Sequence, residues 1–155
     1  MRIKIISGGQ TGVDRAALDI AKDLNIKTDG YCPKGRLAED GIIDQKYQLT
    51  ETKTSFYQER TRKNIDISDG VLILCTDNKL IGGTGLCLKY AKKKNKKILI
   101  IDLNNHIYNN INDFLKWVKT YNLKNINIAG NRESNNQGIY QKSYEFLKEC
   151  LNLIH

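Results

Sequence analysis

Residues 7–19, SGGQTGVDRAALD, set Gly8, Gly9, Gly12 and Asp14 between an apolar run, RIKII, and a segment with Val13, Ala16, Ala17, Ile20, Ala21 and Leu24 at helical spacing. A strand-to-helix turn of this kind aims backbone N–H groups outward at the positive end of the helix dipole, and the chemistry it offers is anion binding. Gln10 and Thr11 belong to the same candidate site. The pattern is not the full G-x-G-x-x-G dinucleotide fingerprint, and no Lys-Ser/Thr pair follows it as a Walker loop requires. The plainer alternative is that Thr11 caps the helix and Asp14 completes a capping box. A second glycine turn weakens that alternative: IGGTG, Ile81 to Gly85, follows another apolar run and offers Gly82, Gly83, Thr84 and Gly85 as further ligand-binding candidates.

Charged and polar residues suggest what surrounds these turns. Lys34-Gly35-Arg36 follows Pro33, where two cations can close over a phosphate, while the adjacent Glu39-Asp40-Gly41 offers pairing in a structural turn instead. Tyr57, Arg60, Thr61 and Asn64 fall at i, i+3, i+4 and i+7, one helical stripe carrying a phenol, a guanidinium, a hydroxyl and an amide. That stripe faces either solvent or the glycine turns. Arg132 and Glu133 read as a binding pair or a loop-fixing ion pair. Among the acids, Asp14, Glu39, Asp40 and Glu133 are the candidates in these stretches, with Asp14 and Glu133 the catalytic ones. The four cysteines form no C-x-x-C pair and the histidines are His106 and His155, so neither a metal site nor a histidine triad is expected. Cys75 and Cys87 read as buried apolar positions, and Cys32, beside Pro33, is the thiol to watch.

The elements that must hold these residues alternate. GVLILC (Gly70 to Cys75), KILIID (Lys97 to Asp102) and Ile126 to Ala129 read as buried strands. Helices are expected over Phe56 to Ser68, from the second glycine turn to about Asn95, around Ile111, Phe114, Leu115, Val118 and Tyr121, and from Ile139 to Ile154. Thr28 to Ser55 shows few periodic features, and Asn104 to Asn112 and Asn131 to Asn136 read as surface loops. Nearly all-apolar strands between helices imply an α/β, Rossmann-like parallel sheet with helices on both faces, in a single domain over 1–155. Ligands then bind beyond the carboxyl ends of the strands, where both glycine turns, Asp102 and the GNRES loop fall. The net charge is +8, but much of it is a lysine cluster between Lys89 and Lys97, suited to a solvated helix end, and nucleic-acid binding is not expected. With no long apolar run, a soluble, cytoplasmic protein without a membrane span is expected.

Taken in order, SGGQTGVDRAALD, YCPKGRLAEDG, YQERTRKNIDISDG, IGGTG and NIAGNRES with GIY resemble the molybdenum-cofactor carrier family, the circularly permuted YpsA branch of the SLOG superfamily, from about Ile3 to Tyr140. The resemblance implies a Rossmann-like fold that binds a nucleotide or a related phosphorylated heterocycle, with molybdenum cofactor as one cargo, and homo-oligomers built through helix packing. Related cytokinin-activating phosphoribohydrolases carry P-G-G-x-G-T-x-x-E, whose glutamate takes part in cleaving an N-glycosidic bond. Aligned on the glycines, Ile81 replaces the proline and Lys89 the glutamate, so that chemistry is not carried over at this loop. Three readings follow: a binding protein, carrier or sequestering, for an anionic nucleotide-like ligand with Lys34, Arg36 and Arg60 as countercharge; a hydrolase using Asp14 or Glu133; and a nucleotide-signal sensor or sponge.

Overall fold

The computed structural model describes residues 2–155. The chain runs β1 (Lys4–Ile6), α1 (Val13–Asp23), β2 (Lys27–Asp29), four two-residue strands β3 (Tyr31–Cys32), β4 (Leu37–Ala38), β5 (Gly41–Ile42) and β6 (Thr50–Glu51), then α2 (Tyr57–Asp66), β7 (Gly70–Cys75), α3 (Gly83–Lys93), β8 (Lys97–Asp102), α4 (Ile107–Tyr121), β9 (Asn125–Gly130) and α5 (Ile139–Asn152). Among the described residues the main sheet has five strands in the order β2-β1-β9-β7-β8, all parallel. Alternate side chains of its strands face opposite layers. Ile5, Leu72, Leu74, Ile126 and Ile128 join Val13, Ala17 and Ile20 of α1, Phe114 and Val118 of α4 and Phe146 and Leu147 of α5 in one core. Val71 and Ile73 join Ile65 of α2 and Cys87 and Ala91 of α3 in the other. Helices therefore cover both faces, as the all-apolar strands require. No helix is long and apolar enough to cross a membrane, among the described residues.

The structure corrects three expectations. The stretch 28–55 is organised: its beginning lies in β2, which pairs with β1 at the sheet edge, and Cys32, Ile43 and Tyr47 pack on Leu18 of α1 as a third small core. Cys32 is fully buried there and burial pushes its thiol up, so it is a packed side chain and not a poised nucleophile. Asn104 to Asn112 is not a loop throughout, because α4 begins at Ile107 and Asn110 is buried, donating from Nδ2 to Asp102 O at 2.9 Å. Asn131, expected at the surface, is buried at the end of β9.

Candidate functional site

From β1 the chain passes outward to β2, from β7 it passes outward the other way to β8, and β9 fills the place between. Such a divergence leaves a crevice at the carboxyl ends of the strands. A cleft of about 600 Å³ lies there. Gly8, Gln10 and Asp14 form one end, Tyr57, Arg60, Thr61 and Asn64 of α2 and Gly83, Thr84, Cys87, Lys89, Tyr90 and Lys93 of α3 its walls, and Asn127, Ala129 and Gly130 its floor. The polar stripe on α2 thus faces the glycine turns. Neither α1 nor α3 has a side-chain cap, since their N-cap residues are Gly12 and Gly82. The alternative of a Thr11–Asp14 capping box does not form. Gly12 is at φ 78°, and a Cβ there would collide with the Asn131 carbonyl, so glycine is what lets α1 start against the end of β9.

Asp14 sits at the inner end of the cleft, buried, and its Oδ2 accepts from Gln10 N at 3.3 Å and from Arg60 Nη1 at 3.4 Å. Burial raises the Asp14 carboxyl above the usual carboxylate range, against the opposing pull of Arg60 and the Gln10 N–H. Arg60 Nη1 also donates to Gly8 O at 3.0 Å. A side chain at Gly8 would drive into that guanidinium, which explains a glycine at this close approach. The Arg60 and Arg132 guanidinium carbons lie 5.3 and 5.2 Å from the Tyr57 ring centroid, so two cations and an aromatic face share one wall. Thr84 Oγ1 donates to Asn131 Oδ1 at 2.8 Å, tying the start of α3 to the end of β9.

The lining carries five cationic side chains, Arg60, Arg62, Lys89, Lys93 and Arg132, against one carboxylate, Asp14, with Arg60 paired to Asp14 at 3.4 Å and Arg132 to Glu39, behind the lining, at 3.8 Å. Two buried amides add unsatisfied capacity. Gln10 accepts at Oε1 from Thr11 N at 3.0 Å and Glu39 N at 2.9 Å, which fixes its amide and leaves Nε2 buried without a partner. Asn127 is 3% exposed, and its side chain has no hydrogen bond within the described residues. Cys87 is lifted to about 12 by burial, so it remains a thiol at neutral pH.

Several expected residues are placed elsewhere. Arg36 is 6% exposed and points into its own loop, donating from Nε to Ile43 O at 2.9 Å, from Nη1 to Leu49 O at 3.3 Å and from Nη2 to Asp44 O at 2.8 Å and Tyr47 O at 2.9 Å. Its donors already serve backbone carbonyls, so it is a loop pin and not a phosphate clamp. Lys34 and Gly35 are exposed outside the cleft, where Gly35 N donates to Glu51 at 2.6 Å. Glu133 is no free acid: its carboxylate accepts from Gly138 N at 2.5 Å and Tyr140 N at 3.0 Å and closes the start of α5. Glu39 accepts from Thr11 Oγ1 and from Ser134 N at 3.1 Å, and despite some burial these hydrogen bonds hold it below the usual range. Asp40 is held low by Arg15, 3.0 Å away. Both acids fasten the 31–51 segment to its neighbours. Gly9, Gly12, Gly82 and Gly85 shape the two turns without lining the cleft, and Thr11 accepts from Glu133 N at 3.1 Å. Asn64 lines the cleft with its amide already spent on Tyr31 N at 2.7 Å and Tyr31 O at 3.0 Å. Asp102 accepts from Asn78 N at 3.0 Å and Asn104 N at 2.9 Å, away from the cleft.

Sequence reasoning missed Arg62, Lys89, Lys93 and Asn127 as wall and floor. Asn127 carries a readable signal, an amide buried inside a strand, NINIAG, whose other amide, Asn125, stands at its first position. Lys89 and Lys93 are four apart and so share a helix face, but a lysine cluster offers no sign of which members turn inward.

The model of the circularly permutated YpsA SLOG family matches residues 5–151. Among solved structures, the chain is similar to one named "Putative molybdenum carrier protein" from Syntrophus aciditrophicus SB, with a TM-score of 0.93 and 43% sequence identity, over 97% of this chain and 96% of that one. A search of curated proteins gives no significant match.

Proposed function

Because the chain belongs to the circularly permutated YpsA SLOG family, we propose that it is a binding protein, a carrier or sequestering module, for an anionic nucleotide-like small molecule, with molybdenum cofactor as one cargo, a reading in line with the name "Putative molybdenum carrier protein" of the similar structure. The carrying observation is the charge of the cleft, five cations against the single carboxylate Asp14, beside two helix N-termini without side-chain caps. A volume of about 600 Å³ suits a ligand of nucleotide or pterin size. The cationic wall fits the phosphate of such a cargo, and the buried amides fit its heterocycle. Among the described residues no cluster of His, Cys, Asp and Glu fits a metal ion, so the cargo would be held by its organic and phosphate groups.

The test is calorimetric titration with AMP, a pterin phosphate and inorganic pyrophosphate at low and high salt. Affinity is expected to fall as salt rises, and Arg132→Ala is expected to cost about 1.5–3 kcal/mol, the range for a hydrogen bond to a charged group. Binding indifferent to salt and to Arg132 would overturn the reading.

A second reading, a hydrolase, rests on Asp14, a buried carboxyl raised by desolvation at the end of a cleft, the environment of a general acid or base. With Lys89 where related phosphoribohydrolases carry glutamate, release of free adenine from AMP is expected to be weak or absent. Release at an enzymatic rate, abolished in Asp14→Asn, would favour the hydrolase. Asp14 also gives binding a pH dependence. Its raised pKa means that it takes up a proton on acidification earlier than an ordinary aspartate, which removes the negative charge that lines the cleft. Wild-type affinity for AMP relative to that of Asp14→Asn is therefore expected to rise about tenfold as pH falls through that window. Parallel pH profiles for the two proteins would show that Asp14 stays uncharged or far from the anion.

A further inference from the structure

Asn127 is an oddity of the floor. Its register partners across the sheet are Ile6 on β1 and Val71 on β7, both buried and apolar, and Ala129 follows it on the same face of β9. None of these can hydrogen-bond a side-chain amide. A polar group in such apolar surroundings, with no hydrogen-bond partner of its own, is satisfied by bound solvent or by a ligand. The only direction left to it is the cleft that it lines.

Taken together with the partnerless Gln10 Nε2, whose orientation is fixed by two backbone donors on its oxygen, we infer that Asn127 reads the edge of a fused nitrogen heterocycle, a purine or pterin ring, held between α2 and α3. This rests on the anionic-ligand reading above and names the other half of that ligand. An asparagine amide presents one donor and one acceptor side by side, the complement of a ring edge that carries an acceptor next to an N–H, as in adenine or in the lactam of guanine and pterins. Tyr57 and Tyr90 on opposite walls, with Leu86 and Ile81, supply aromatic and apolar surface for the ring faces. The cations of the walls and the open start of α3 are left for the phosphate.

The test compares AMP, GMP and a pterin phosphate with ribose 5-phosphate, which has the anion but no ring, on wild type and Asn127→Leu. Leucine is close in size and suits the Ile6, Val71 and Ala129 surroundings, so the variant is expected to fold with an unchanged or higher Tm; Asn127→Ser is the fallback if it does not. At least one ring-bearing probe is expected to bind wild type tenfold or more tighter than ribose 5-phosphate, and that advantage is expected to vanish in the variant while ribose 5-phosphate affinity stays the same. Which ring gains most separates the purine from the pterin source. Equal affinity of all four probes for wild type, or a ring advantage that survives at Asn127→Leu, overturns the inference and leaves anion binding standing. Failure of all four to bind wild type at low salt instead overturns the anionic reading itself.

Discussion

Arg36→Ala is expected to lower folding stability by about 3–5 kcal/mol, the loss of several hydrogen bonds from a buried charged donor, and by itself to leave the cleft's charge unchanged. The guanidinium donates to four carbonyls, those of Ile43, Asp44, Tyr47 and Leu49, all in the connection between the two-residue strands β5 and β6. Arg36 itself adopts φ 55°, and its backbone N donates to Pro33 O at 2.9 Å, so the residue is committed to a turn at both ends. Alanine removes the charged donor of the buried Ile43 and Tyr47 carbonyls, while Asp44 O keeps Tyr47 N at 3.2 Å, and a buried carbonyl without a partner is expensive. For a chain of this length the loss corresponds to a fall in Tm of roughly 6–20 °C by calorimetry. Arg36→Lys is expected to recover little, because a single ammonium cannot span four acceptors set around a planar fork. Hydrogen exchange should speed up first over 31–51. A variant that melts like wild type yet loses ligand affinity would return Arg36 to the binding site.

The contrast between Arg36 and its neighbour shows where the sequence is legible. Lys34 and Arg36 are two residues apart and look like one cationic clamp, yet Lys34 is exposed and Arg36 buried. What separates them is a set of backbone carbonyls seven to thirteen residues further on, and carbonyls leave no mark in a sequence. Strands and glycine turns are different. GVLILC is apolar at every position because β7 is buried on both faces, and the turns announce themselves because only glycine serves as N-cap at positive φ against a neighbouring strand. The β2 strand, KTD, stayed hidden because an edge strand with half-buried polar residues has no hydrophobic period to detect. The start of α4 was hidden for a similar reason, with Asn109 and Asn110 in its first turn and no acid there to mark a helix N-terminus. The α2 stripe was legible as a stripe, but its direction was set by Ile65 packing on the sheet, a tertiary fact. Four of the five cations that line the cleft come from helix faces chosen in that way, and of these Arg60 was foreseen from its stripe while Arg62, Lys89 and Lys93 were not; Arg132 stands in the connection after β9.

Gly83→Val is expected to lower ligand affinity at least a hundredfold while the protein remains folded. Gly83 is the first residue of α3 and lines the cleft, and a Cβ added there would meet no protein atom within 4 Å, so the valine fills space that an anion approaching the helix start would need. No positive φ is involved at this position, unlike Gly82 beside it, so backbone strain does not confuse the outcome. Valine for glycine at a helix start changes intrinsic propensity by less than about 1 kcal/mol, and Tm is expected to move by only a few degrees. The other turn offers no such clean probe, because any side chain at Gly8 displaces Arg60 and with it the partner of Asp14. Gly83→Ala grades the test: a methyl group narrows the approach without closing it, and its loss should fall between wild type and valine. If both variants fold and bind AMP and pyrophosphate as wild type does, the phosphate does not sit at α3. The amides of α1, beside Gln10 and Arg132, would then be the place to look, and the five-cation wall would be serving a part of the ligand other than its phosphate.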